Sequence, residues 1–249
     1  MRLLIANPNT TEAVTDRLMA AAAAVKAPAT ELVAMTAPRG VPYIATRADA
    51  VIGSAVALDM LAERHTEVDA AVIAAFGDPG LGGARELFDI PVVGMAEAAM
   101  LTACMLGRSF AIVTFSGGLV PWYNECLDWN GLRGRCAGIF ALQGAFASIA
   151  DVQEEKEAAL VELANRVVAD HAADVVILAG APLSGLAQTV RDRVPVPLVD
   201  GIQAAVKQAE ALAALKPAKA TEGTFRRPAA KICTGIPEAL RARFERRDG

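Results

Sequence analysis

Short aliphatic runs alternate along the chain with longer, alanine-rich segments whose apolar positions recur at helical spacing. The short runs predict β-strands at Leu3–Ala6, Thr30–Met35, Ala70–Phe76, Val92–Gly94, Phe110–Phe115, Gly138–Leu142, Val175–Ala179 and Val196–Val199. The longer segments predict helices at Thr11–Val25, Arg47–His65, Gly83–Phe88, Ala96–Met105, Val120–Trp129, Asp151–His171, Gly185–Arg193 and Gly201–Leu215. Thr10 is the expected N-cap of the first helix, with Glu12 and Asp16 near its positive end. Strand and helix alternate almost throughout, the pattern of an α/β protein whose parallel strands are covered by helices. In such sheets ligands bind outside the carboxyl ends of the strands, where loops of small and polar residues follow.

The chain also resembles itself. Asp69–Ala75 can be laid over Asp174–Gly180 at an offset of 105 residues, and Ile90–Gly94 with Ala98 and Ala99 over Val196–Asp200 with Ala204 and Ala205 at 106. A weaker match sets Leu4–Ala6 against Ile112–Thr114. Buried parallel strands look alike in any case, but the shared order and spacing favour a duplicated α/β unit. The fold expected is therefore two pseudo-symmetric parallel-sheet lobes, a duplicated Rossmann-like α/β sandwich with a cleft between them. Residues 1–97 with 216–249 are assigned to the first lobe and 98–215 to the second.

Composition narrows the partners. Among 249 residues, 54% are hydrophobic, which excludes general disorder, and a net charge of −4 makes nucleic acid an unexpected partner. No apolar run reaches the roughly 18 residues of a membrane span. The longest, Ala96–Gly107, is broken by Glu97 and Thr102, and Leu3–Ala6 is too short for a signal-peptide core, so no membrane partner and a cytoplasmic location are expected. Cys104, Cys126, Cys136 and Cys233 include no closely spaced pair, so a metal site is not expected and free thiols are. From Phe225 onward the tail carries seven Lys and Arg against Glu238, Glu245 and Asp248, which reads as a solvated face packing back on the first lobe.

Four loops hold the candidate chemistry. Asn7, Asn9 and Thr10 follow the first strand and are placed to bind a carbonyl or carboxylate, although an Asx turn with an N-cap explains them equally well. In Phe76–Leu81, Gly77 lets backbone approach a ligand and Asp78 is the ionisable group, either an acid/base or a turn former. Thr114 and Ser116 lie beside Gly117 and Gly118, a flexible pair able to close on an anion. Gly180, Ala181 and Ser184 form the fourth loop, which the repeat sets opposite the second. His65 and His171 sit near helix C-termini, where an imidazole suits the dipole. Pro42–Arg47, including Tyr43, is placed to swing over the cleft; Arg47 there either pairs a substrate carboxylate or stands solvated at a helix start.

The stretches Ile5–Thr11, Phe76–Leu81, Pro91–Gly94, Val196–Gly201 and Ala204–Lys207 resemble the aspartate/glutamate/hydantoin racemase family, and within it the hydantoin and allantoin racemases, over nearly the whole chain. The resemblance implies a two-lobed, cofactor-independent and oligomeric isomerase, a homo-oligomer acting on a small-molecule substrate between its lobes. It also implies two catalytic cysteines, one per lobe, at positions that fall on Ala75 and Gly180, the pair matched by the internal repeat. Neither side chain moves a proton, so two-thiol racemisation lacks its groups. The reading that follows is a racemase-family enzyme for a hydantoin, ureide or acidic amino-acid derivative, working without sulfur. Asp78 is its acid/base, and Asn7, Asn9, Thr10, Gly77, Thr114, Ser116, Gly180, Ala181 and Ser184 hold the substrate. The alternatives are a lyase or hydrolase needing one proton donor, and a binding protein that has kept the pocket without the reaction. Cys104 and Cys126, inside predicted helices, are not recruited.

Overall fold

The computed structural model describes residues 1–247 and contains two four-stranded, all-parallel sheets. The first is built from β1 (Arg2–Asn7), β2 (Glu31–Thr36), β3 (Ala70–Ile73) and β4 (Val92–Gly94), in the order β2-β1-β3-β4. The second uses β5 (Phe110–Thr114), β6 (Cys136–Ala141), β7 (Val175–Ala179) and β8 (Leu198–Asp200), in the order β6-β5-β7-β8. The two orders superpose strand for strand. This pairs β1 with β5, β3 with β7 and β4 with β8, as the sequence repeat does. The central strands are buried along their whole length because helices cover both sheet faces, and this is why they read as unbroken aliphatic runs.

Nine α-helices complete the described chain: α1 (Glu12–Ala23), α2 (Arg47–Arg64), α3 (Leu81–Leu87), α4 (Met95–Leu106), α5 (Val120–Trp129), α6 (Val152–His171), α7 (Leu186–Val190), α8 (Gly201–Leu215) and α9 (Glu238–Glu245). Local chemistry sets several of their ends. Thr46 and Asp49 form a capping box at α2, Pro121 occupies the first turn of α5, and Asp200 caps α8 through its carboxylate. The last helix of each repeat lies between the sheets: α4 packs mainly on β5, β7 and β8, and α8 mainly on β1, β3 and β4 while also touching β7 and β8, and the two helices pack on each other. Thus α8, grouped by the sequence division with the second lobe, lies mainly on the first lobe's sheet, and the lobes share one interface.

Other differences from the sequence pattern have local causes. Thr11 rather than Thr10 occupies the cap of α1, and its hydroxyl donates to the Pro42 carbonyl at 2.7 Å instead of to the helix. The third strand ends at Ile73, releasing Ala74–Phe76 into the interlobe region. Helix α3 begins at Leu81, earlier than the pattern indicates, because Gly80 supplies a left-handed cap at φ 82°. The predicted helix Gly185–Arg193 divides into α7 and a 3₁₀ turn at Arg191–Arg193. The tail contains α9, which packs on α2, and its Arg243 is buried, donating to the Leu87 carbonyl at 3.1 Å and pairing with Asp89. It is not a wholly solvated face; Asp248, counted within it, lies outside the described residues.

Candidate active site

Two spaces open between the lobes at the carboxyl ends of the strands, and one side chain separates them. The smaller has a volume of about 20 Å³, room for a single water, and lies between Ala75 of the first lobe and Gly180 of the second. Asn9, Tyr43, Phe115 and Ala181 also face it. The rings of Tyr43, Phe115 and Phe146 pack on one another with centroids 5.5–6.2 Å apart, filling what would otherwise be open cleft. A Cβ at Gly180 would stand 2.7 Å from Phe115 Cε1, on backbone at φ +126°, so a side chain at this position is strained as well as crowded.

The larger space, a chamber of about 290 Å³, lies between the Gly77–Gly83 loop of the first lobe and helix α5 of the second. Asp78 and Gly77 line one wall and Trp122, Glu125, Cys126 and Trp129 the other. Trp122 also faces the smaller cavity, and its indole lies so close over Gly77 that a Cβ there would be 2.2 Å from Cζ2. The chamber's rim is bridged by an ion pair across the lobes, Arg47 Nε to Glu125 Oε1 at 2.6 Å. Arg47 stays largely exposed at the start of α2, as a solvated helix-start arginine would, with its Nε paired to Glu125.

Asp78 is held by two opposed influences. Its Oδ1 accepts from Ala96 N at 2.7 Å and its Oδ2 from Glu97 N at 2.8 Å, both donors belonging to the first turn of α4. Residue 78 itself adopts a left-handed φ of 52°, which aims the side chain at that helix. Burial raises the carboxyl pKa to about 7, while the two backbone N–H groups favour the charged form. The second lobe answers with the same joint reversed. Asp200, which starts α8, accepts from Gly185 N at 2.6 Å in the loop and from Ile202 N and Gln203 N of its own helix. At the first of these joints glycine stands where the carboxylate enters: a Cβ at Gly94 would be 2.3 Å from Asp78 Cγ.

The residues proposed from sequence thus divide. Gly77 and Asp78 line the chamber, and Asn9, Gly180 and Ala181 line the small cavity. Asn7 is buried beneath them, its amide spent on Asn9, Thr11 and Thr15, and Thr114 is buried with its hydroxyl donating to the Ala179 carbonyl at 2.9 Å. Thr10 and Ser116 are half-buried and line neither space, and Ser184 is buried with a hydroxyl that has no hydrogen-bond partner. His65 packs on Phe88 and His171 on Phe140, away from the cleft. Sequence reasoning missed the α5 wall. Trp122, Cys126 and Trp129 recur at the i, i+4, i+7 spacing of one helical face, and that stripe follows directly on the third candidate loop. Cys126 consequently projects into the interlobe chamber, against the expectation of a site without sulfur. Cys104 is half-buried within α4 and lines neither space.

Fold and cleft together define a class: a pseudo-symmetric, two-lobed α/β enzyme with its candidate site where the two repeats meet. Residues 3–209 match the family model described as Asp/Glu/Hydantoin racemase. The chain is 33% identical over 237 residues to a hydantoin racemase of Paenarthrobacter aurescens, covering 93% of this chain and 99% of the relative. Among solved structures it is similar to the allantoin racemase from Klebsiella pneumoniae, with a TM-score of 0.91, 35% identity and coverage of 96% of this chain and 98% of the other. The allantoin racemase from Pseudomonas fluorescens gives 0.87, 31% and coverage of 94% and 100%. The chain belongs to the Asp/Glu/hydantoin racemase family, and its fold and enzyme class are those of that family's isomerases.

Proposed function

We propose that this enzyme inverts a carbon next to a carbonyl in a small cyclic ureide, with Asp78 as acid/base and the interlobe chamber as the reaction site. The observation that carries the reading is the position of Asp78, a carboxyl group with a pKa near 7 on the wall of a chamber able to hold a five-membered ring. Proton removal beside a carbonyl requires a base that is partly unprotonated at the working pH and donors for the developing enolate oxygen. Asp78 suits the first requirement, and the backbone of the Gly77–Gly83 loop is the proposed source of the second. Relatives named as hydantoin and allantoin racemases, similar along almost the full chain, support the ureide class. Asn9, Gly180 and Ala181 line the small cavity beyond Trp122 and do not reach a substrate held in the chamber, Asn7 and Thr114 are buried behind them, and Thr10, Ser116 and Ser184 lie at the periphery. A cytoplasmic location and self-association belong to the same proposal; the exposed apolar residues Leu101, Met105 and Leu106 of α4 support the second.

One observation favours a second reading, a binding protein: both oxygens of Asp78 already accept helix N–H groups. Incubation with enantiopure 5-substituted hydantoins and allantoin in heavy water separates the two. The isomerase reading predicts loss of optical rotation with deuterium entering the stereocentre. Saturable binding without turnover supports the binder, and an unlabelled open-chain acid identifies a hydrolase instead.

A further inference from the structure

The chamber has two walls from different lobes, and each presents a group that can exchange a proton. Asp78 stands on the loop after β3, and Cys126 stands two turns into α5. Cys126 is buried, and its thiol donates across the lobe boundary to the Gly77 carbonyl at 3.5 Å, the residue next to Asp78. A thiol is a weak donor, so this contact commits the S–H only weakly. Cys136 and Cys233 line neither space, so Cys126 is the thiol that the fold brings to the cleft.

We propose that Cys126 is the second acid/base group of the reaction assigned above, delivering a proton to the substrate carbon from the α5 side while Asp78 works from the β3-loop side. The inference rests on that assignment and adds the group an inversion requires, because a single base returns the proton to the face it came from. In the forward step the C–H bond breaks, its proton passes to an Asp78 oxygen, and the electron pair moves into the adjacent carbonyl as an enolate. The enolate carbon then takes the Cys126 proton on its opposite face, leaving a thiolate and a protonated Asp78. Proton transfer from Asp78 to the thiolate through solvent restores the starting state, as does one turnover of the opposite enantiomer. No oxidant or co-reactant enters. Burial and the neighbouring Asp78 charge raise the thiol pKa, so it is a neutral donor near pH 7.

The test separates exchange from inversion. With an enantiopure 5-substituted hydantoin in heavy water, the wild type incorporates deuterium and racemises at comparable rates. Cys126→Ala should slow racemisation by about 100-fold or more, while Asp78 continues to exchange the α-proton with retention of configuration. Cys126→Ser, closer in shape, should show the same split, and thermal melts of both variants report whether they fold. Equal loss of exchange and racemisation in folded variants, or undiminished racemisation, overturns the role of Cys126 alone. A wild type that neither exchanges nor racemises any ureide overturns the parent reading, and this inference with it.

Discussion

At the scale of the residue, the molecule is organised around two carboxylates that join loop to helix in opposite senses. Asp78 reaches from a loop to the start of α4, and Asp200 reaches from the start of α8 to a loop. Either arrangement satisfies helix N–H groups that have no partner within the helix and places a negative charge at its positive end. The joint works only if the opposing position is empty, which is the role of Gly94. Gly94→Ala should drive the Asp78 carboxylate off α4 and destabilise the protein by about 2–4 kcal/mol, the scale of lost hydrogen bonds to a charged group, as measured by chemical denaturation. A variant of wild-type stability would show that the carboxylate has another resting place. The sequence revealed Asp78 as a candidate but not its partners, because Ala96 and Glu97 contribute backbone N–H groups that no side-chain pattern records. Nor did it reveal that Gly94 and Asp200, matched by the repeat, are the two halves of one reversed joint.

At the scale of the element, helix α5 decides the shape of the cleft. Its apolar stripe would ordinarily be assigned to the core, and Trp122 and Cys126 are indeed buried. The stripe nevertheless faces the other lobe and not its own sheet alone, and Trp122 divides the cleft into a chamber and a small cavity. Removing the indole should join the two spaces. Trp122→Ala is expected to cost about 3–5 kcal/mol and to raise the rate at which Cys126 reacts with a thiol reagent under native conditions. An unchanged rate would place the thiol behind some other barrier. The periodicity gave α5 its limits, Val120–Trp129, since Pro121 and the apolar positions mark them. It gave no sign of α9, whose mean hydropathy is low and whose burial depends on Arg243 finding the Leu87 carbonyl and Asp89 far away in the chain.

At the scale of the whole molecule, the fold was largely legible: two parallel-sheet lobes and a cleft between them follow from aliphatic runs recurring at a fixed offset, whereas the order of strands within each sheet came from the structure. What the repeat did not show is the exchange of α4 and α8, by which each lobe is completed by a helix from the other half of the chain. A parallel strand buried on both faces carries no mark of which helix covers it. The exchange also anchors Asp78 to a helix that packs on the opposite sheet, so the position of the proposed base depends on how the lobes are docked. Ala75 and Gly180 line the small cavity from opposite lobes with no proton to give, and the acid/base chemistry is for that reason proposed for the chamber beside it.

The most direct measurement of that assignment is the pH dependence of deuterium entry into an enantiopure 5-substituted hydantoin, followed for the wild type and for Asp78→Asn. Because Asp78 must be ionised to accept a proton and its pKa lies at about 7, the wild-type rate should climb as pH rises through 7 and then level off. The Asp78→Asn protein, shown by its melt to be folded, should exchange at least about 100-fold more slowly at every pH. A wild-type rate that is flat across this range, or an Asp78→Asn rate equal to it, would contradict the account.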